Sequence, residues 1–167
     1  MAIVFVDASQ NEVIKPEDEK IFWRVSMYPI VQNKEGKVLM VTPRWNDQWE
    51  FPGGGVELEE ILFDGMTREC YEETGYKIAA KPSQPIHVGE QYWYGRRSKK
   101  FFHSVHIMYE AELIDEKQDQ NAINPDGYIE TIKVGWIPLE ELNENNCHPI
   151  HFPAIKVLQD KQSRHIV

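Results

Sequence analysis

The sequence predicts an α/β fold, with a mixed sheet lying between helical layers. Three observations predict it. Apolar residues recur with period two in residues 23–31 and again in residues 104–113, the mark of half-buried strands. Between them, residues 61–74 carry apolar residues at helical spacing and stop at a glycine. A second helical segment begins near Pro153, so strands lie before and after a central helix and another helix follows them.

The elements follow in order. Residues 3–6 (IVFV) read as a short strand and residues 7–20 as a polar loop. Trp23, Val25, Met27, Pro29 and Val31 alternate, which gives a strand with one buried face. Proline has no backbone N–H, so Pro29 places that part of the strand at an edge or bulge. Residues 33–37 (NKEGK) form a turn, and KVLMVT continues as a second strand, so the pair reads as a hairpin. Residues 43–60, rich in Pro, Gly and Trp, read as a loop.

In the helix over residues 61–74, Leu62, Phe63, Met66 and Cys70 share one side that faces the sheet. Gly65 lowers its intrinsic stability by about 1 kcal/mol against alanine, which points to close packing at that position. Residues 88–94 are a strand and residues 96–100 (RRSKK) a basic turn. Val105, Ile107, Tyr109, Ala111 and Leu113 alternate along the next strand. A polar loop spans residues 115–127, and residues 129–136 form a further strand. PLEEL, residues 138–142, opens with proline and reads as a short helix. The last helix runs from Pro153 to about Gln159, with a frayed end from about residue 160. The whole chain, 1–167, is read as one domain.

Composition narrows the function classes. A net charge of −9 argues against a nucleic-acid partner held through a basic face. It leaves phosphate substrates open, because divalent cations bridge acidic protein and acidic ligand. No apolar run reaches the roughly 18 to 20 residues that span a bilayer, so no membrane partner is expected. Two cysteines, Cys70 and Cys147, make no disulfide framework, and a reducing cytoplasmic location is expected. Cys70 is a core residue in this reading.

The chemistry concentrates in RECYEETGY, residues 68–76. On a helix, Glu69, Glu72 and Glu73 stand at i, i+3 and i+4 and crowd one face. Like charges at that spacing weaken a helix by a few tenths of a kcal/mol per pair. Arg68 lies four residues before Glu72 and can pair with it, but one arginine does not neutralise three carboxylates. Hard divalent cations with oxygen ligands would. Upstream, PGGG (residues 52–55) brings bare backbone to the helix start, and Glu57, Glu59 and Glu60 follow.

Residues 54–76 closely resemble the Nudix box, G-x5-E-x7-R-E-U-x-E-E-x-G-U, where U is a bulky apolar residue. Gly54, Glu60, Arg68, Glu69, Glu72, Glu73 and Gly75 occupy its fixed positions with both spacings intact. Cys70 and Tyr76 stand at the U positions, where Leu, Ile or Val are commoner. The lead-in Trp49-Glu50-Phe51-Pro52-Gly53, the preceding strands and the Trp-x-Pro-x-Glu-Glu-Leu segment at 136–142 extend the resemblance over most of the chain.

The resemblance implies a Nudix-type α/β/α sandwich with a loop–helix–loop metal site. It implies hydrolysis of a nucleoside diphosphate linked to another moiety, by attack of water on phosphorus with Mg²⁺ or Mn²⁺. Glu69, Glu72 and Glu73 would be metal ligands, with the Gly54 carbonyl a further ligand as in some members. From its place at the helix entry, Glu57 is a separate metal candidate, with decoration of the helix start as the alternative. Arg68 and Glu60 would orient the helix, and Gly75 would end it. Arg68, Glu69 and Glu72 are the catalytic candidates within the box. The general base is either a box glutamate or one from a later loop, for which Glu130 is the candidate.

Tyr92 and Tyr94 fall where dinucleoside-polyphosphate hydrolases often carry tyrosine; with Arg44 they are the candidate substrate-binding residues. Nucleoside triphosphates are an equal alternative and a nucleotide sugar a further one; Pro82 and Pro85 lie too close to the box for the ADP-ribose hydrolase pattern. A nucleotide-sensing domain without hydrolysis and an isoprenoid-diphosphate isomerase-like relative are the other readings. The resemblance also leaves room for a homodimer. His103 and His106 read as surface or edge residues, and His148 and His151 lack partners at a zinc-site spacing. RRSKK reads as a solvated hairpin tip, with phosphate contact as the alternative.

Overall fold

A computed structural model describes residues 3–81 and 84–164. Strands β1 (Phe5–Val6), β2 (Glu12–Val13), β3 (Ile21–Val31), β4 (Val38–Pro43) and β5 (Gly54–Gly55) precede helix α1 (Leu62–Thr74). Strands β6 (Ile78–Ala80), β7 (His87–Gly95), β8 (Lys100–Leu113) and β9 (Thr131–Ile137) follow, and helix α2 (Phe152–Arg164) comes last. Short 3₁₀ turns lie at Gln120–Ala122 and Leu139–Glu141.

The large sheet has the order β2-β1-β7-β8-β3-β5, with β6 added beside β8. The β3–β8 and β1–β7 pairs are parallel and the others antiparallel, so the sheet is mixed. Strands β4 and β9 form a second, antiparallel pair. Helix α1 covers one face, where Met66 and Cys70 pack with Met27, Val31, Leu39 and Ile78. Helix α2 covers the other, where Ile155 and Leu158 pack with Ile30, Met40 and Met108. Burying a side chain of this size stabilises the fold by about 1.5–3 kcal/mol, so these two layers hold the sheet flat against the helices. This is the α/β/α arrangement expected.

The expected β3–β4 hairpin does not form. The two strands share only the Gln32–Val38 bridge before separating into different sheets. All six residues of β4 are buried, so the strand needs cover on both faces. Val38 and Met40 enter the α2 core while Leu39 enters the α1 core. Pro29 sits where an edge residue belongs: β3 pairs with β8 on one side, and on the other β5 reaches only Ser26 and Met27.

Three further expectations change. Strand β8 is buried at Phe101, Ser104, His106, Met108 and Ala111; of the residues expected inward only Ala111 is among them, while Val105, Ile107, Tyr109 and Leu113 are half-buried. Both faces of a central strand are covered, and the polar face turns towards the site. Leu62 is exposed, because the helix begins there and its first turn extends past the sheet. Helix α2 continues to Arg164, beyond the expected fraying point; residues 165–167 lie outside the described residues.

Helix α1 ends as the sequence requires. Gly75 has φ +72°, and its N–H donates to the Tyr71 carbonyl at 2.8 Å. A Cβ there would also lie 2.3 Å from the Asp119 carbonyl oxygen, so the 115–127 loop packs directly on the cap. Gly65 meets the packing expectation, since a Cβ would come within 2.7 Å of Glu60 Oε2.

Candidate active site

The site forms where the Pro-Gly loop, β3, α1 and the segment before β9 meet. Glu69 and Glu73, one turn apart on α1, line a cavity of about 220 Å³. Gly53 and Gly54 close one side, and Glu50, Glu130, Arg24 and His106 also face it. The loop is pinned to the helix by a hydrogen bond from the Gly53 N–H to Glu73 Oε2 at 2.8 Å. At Gly54 a Cβ would come 3.1 Å from the Glu69 carboxyl carbon, so the bare backbone lies against that carboxylate.

Arg68 organises the outer side of the helix. Its Nε and Nη2 donate to both Glu60 oxygens, at 2.8 and 3.0 Å. Its Nη1 lies 3.0 Å from Glu69 Oε1 and 3.1 Å from Glu72 Oε2. Glu60 in turn accepts the Glu57 N–H at 3.1 Å, which ties the loop before the helix to the same guanidinium. Hydrogen bonding to Arg68 holds Glu60 below the usual carboxylate range.

The cavity carboxylates behave in the opposite way. Burial pushes Glu73 well above the usual range; the Gly53 N–H offsets part of this, and Glu69, Glu130 and Glu50 add to it. Burial likewise raises Glu69 against the pull of Arg68. It raises Glu50 to about 7, against its hydrogen bond from Asn46 and with Glu130 pushing the same way. Glu130 is raised by burial against Arg97 and Arg24. Asp7 also lines the cavity but is paired with Arg96; the other four carboxylates, Glu50, Glu69, Glu73 and Glu130, need either protons or a cation.

The donor set fits a hard divalent cation. It supplies carboxylate oxygens in a half-closed cavity and a backbone approach at Gly54 that a side chain would block. Among the described residues, no three His, Cys, Asp or Glu side chains already converge as a closed ligand set. Arg68 Nη1 occupies the position between Glu69 and Glu72.

The expected residues divide clearly. Glu69, Glu73, Gly54 and Glu130 meet at the cavity, while Glu72 stands beside it on Arg68. Glu57 is exposed and does not line the cavity, because its side chain points out from the loop before α1. Tyr92 and Tyr94 do not line it either. In register they sit opposite His103 and Phe101, and Tyr92 stacks on His103 at 4.1 Å and Tyr94 packs on Phe101 at 4.8 Å. Period two sends their neighbour Trp93 to the site instead. Arg44 lines an adjoining chamber rather than the carboxylate cavity.

Arg24, Glu50, Trp93 and His106 face the site although the sequence does not single them out. Glu50 sits in the lead-in to the box and could have been read there. Arg24 carries no local mark; only the β3–β8 register brings it opposite Ser104. His106 is 4% exposed rather than an edge residue, and neither ring nitrogen has a hydrogen-bond partner among the described residues.

The sequence model of the NUDIX domain matches residues 22–160. The chain is 30% identical over 129 residues to human diphosphoinositol polyphosphate phosphohydrolase 3-beta, covering 75% of this chain and 71% of that protein. Among solved structures, a NUDIX hydrolase from Nitrosomonas europaea superposes with a TM-score of 0.62 at 14% identity, over 83% of this chain and 89% of that one. The MutT protein from Methanosarcina mazei Go1 superposes with a TM-score of 0.56 at 20% identity, over 86% and 97%. At such identities the structures speak for the fold, and the sequence match speaks for the family. With a domain match over most of its length and Gly54, Glu69 and Glu73 of the box lining one cavity, the chain belongs to the Nudix hydrolase family.

Proposed function

We propose that the cavity hydrolyses a phosphoric anhydride in a small phosphorylated molecule, with Mg²⁺ or Mn²⁺ as cofactor. The observation that carries this reading is the gathering of Glu69 and Glu73 against Gly53 and Gly54 in one half-closed cavity. Glu69, Glu72, Glu73 and the Gly54 carbonyl would hold the cation. When bound, it lowers the pKa of coordinated water and screens the phosphoryl charge.

The chain's own residues do the rest. Arg68 and Glu60 fix the face of α1 that presents the carboxylates. Arg24 also lines the cavity, close to Gly55, where its guanidinium would bind phosphoryl oxygens. Glu130 is the base: burial raises its carboxyl, so it holds a proton better than an exposed glutamate. Water oxygen bonds to phosphorus, the bridging P–O bond breaks, and the proton of the water passes to Glu130. Asn124 Oδ1 accepts the Glu130 N–H at 2.9 Å, and the Glu130 carbonyl accepts the Arg44 N–H at 2.8 Å, so the base stands on a fixed backbone.

A nucleoside diphosphate joined to a second group is the substrate type we infer, and the diphosphoinositol polyphosphates named for the human relative are tested beside it. The experiment is a hydrolysis panel with Mg²⁺ and Mn²⁺, with products identified by mass. It includes nucleoside triphosphates, diadenosine polyphosphates, ADP-ribose, UDP-glucose and a diphosphoinositol polyphosphate. Metal-dependent turnover lost in Glu130→Gln supports the reading. Silence across the panel, or turnover indifferent to metal, overturns it.

A further inference from the structure

The sequence holds six arginines, and four of them, Arg24, Arg44, Arg96 and Arg97, line a single chamber of about 930 Å³. They arrive from separate places: β3, the loop after β4, and the β7–β8 turn. In a chain of net charge −9 this concentration is not a general property of the surface. The chamber shares Arg24, Trp45, Trp93 and Glu130 with the carboxylate cavity, so one ligand can occupy both.

The guanidinium groups are held in place. Arg97 and Arg44 lie over the Tyr128 ring, with Cζ at 4.5 and 5.3 Å from its centre. Arg24 lies over Trp93 at 5.1 Å and over Phe102 at 5.7 Å. Cation–π attraction holds a guanidinium over a ring and leaves N–H donors in the fork that matches phosphate oxygens; Arg44 uses one of its donors, Nη1, on the Ile129 carbonyl at 3.5 Å. Asp7 pairs with Arg96 and Asp126 with Arg97, at 3.3 Å in the second case, while Glu130 also faces the chamber. Among the described residues no ion pair joins Arg24 or Arg44 to a carboxylate. Arg24 and Arg44 are therefore left with N–H donors and, among the described residues, no carboxylate in contact.

We infer that this chamber binds phosphate groups of the substrate that lie beyond the anhydride being cut. The substrate then carries clustered phosphates, either as a linear chain or borne on a ring, in preference to an uncharged sugar at that end. The inference rests on the hydrolase reading for its place in turnover, but its binding component stands on the arginines alone.

The test is calorimetric titration of the metal-free protein with inorganic tripolyphosphate and with myo-inositol hexakisphosphate, in wild type and in Arg44→Gln/Arg97→Gln. Wild type is expected to bind at least one of the two, with affinity falling steeply as salt rises. The double variant is expected to bind at least tenfold more weakly. Tighter binding of tripolyphosphate assigns a linear chain, and tighter binding of the hexakisphosphate assigns ring-borne phosphates. Arg44→Lys/Arg97→Lys, which keeps the charge and loses the fork, is expected to fall between the two. No binding of either probe by wild type, or equal binding by the Gln variant, overturns the inference. Neither outcome depends on turnover, so failure here is distinct from failure of the hydrolysis panel.

Discussion

The backbone N–H of Gly53 donates to Glu73 Oε2 at 2.8 Å, joining a loop to a helix twenty residues further along the chain. This bond fixes the distance between the glycine backbone and the acidic face of α1. Gly53 has φ +133°, and a Cβ there would lie 2.3 Å from the Met27 carbonyl oxygen. Gly53→Ala is therefore expected to destabilise the protein by about 3 kcal/mol or more. At Gly54 the nearest atoms to a Cβ belong to the Glu69 carboxylate, the movable end of a side chain, so Gly54→Ala is expected to keep the fold and lose activity by roughly tenfold to a hundredfold. Denaturant unfolding and steady-state rates on the two variants separate these outcomes; equal stability loss in both contradicts the division.

Arg68 serves Glu60, Glu69 and Glu72 at once. Lysine keeps the charge but cannot make the two-pronged contact with Glu60. Arg68→Lys is expected to weaken Mg²⁺ binding by about 10- to 100-fold, with little change in melting temperature without metal. A calorimetric titration checks it. Wild-type affinity in the variant would show that the guanidinium merely decorates the helix.

Three histidines near the cavity are buried and neutral. Burial lowers His106 and His148 to about 4, with Arg24 and His148 adding to the effect at His106, and lowers His151 further. Their folded pKa values lie below the unfolded value. Their neutrality therefore does no harm above about pH 6.5, and stability falls as pH drops from there through about 4. Each contributes a slope of up to about 1.4 kcal/mol per pH unit. His106→Phe also removes two unpartnered ring nitrogens, so it is expected to match or exceed wild-type stability at pH 7 and to shift acid unfolding to lower pH. Melting curves from pH 7 to pH 4 test this; an unmoved acid transition rules out His106 as a contributor.

Glu72 touches Arg68 from the solvent side of the cluster and carries no core packing. Glu72→Gln is expected to abolish turnover while leaving the circular dichroism spectrum and the melting temperature without metal within about 2 °C of wild type. Near-normal rates in this variant would remove the box carboxylates from the chemistry.

The parts that were legible in the sequence are those set by local rules. Helix α1, its Gly75 stop and the shared face of Glu69 and Glu73 follow from 3.6-residue periodicity and a positive φ. The parts that were not legible depend on pairing between distant strands. The sequence could not show that β4 leaves β3 for β9, since the apolar run Val38–Val41 fits either place. Nor could it show that Arg24 would stand beside the carboxylates, because only the parallel β3–β8 register puts it there. Tyr92 and Tyr94 failed as cavity residues for a related reason: one step along a strand changes the face, and Trp93 took the inward one.

The central claim is that Glu73 and its neighbours hold a divalent cation. The most direct measurement is Mn²⁺ binding followed by electron paramagnetic resonance, in wild type and in Glu73→Gln. The account predicts saturable binding in wild type and at least tenfold weaker binding in the variant, with both proteins folded. Equal binding in the two, or none in wild type, would contradict it.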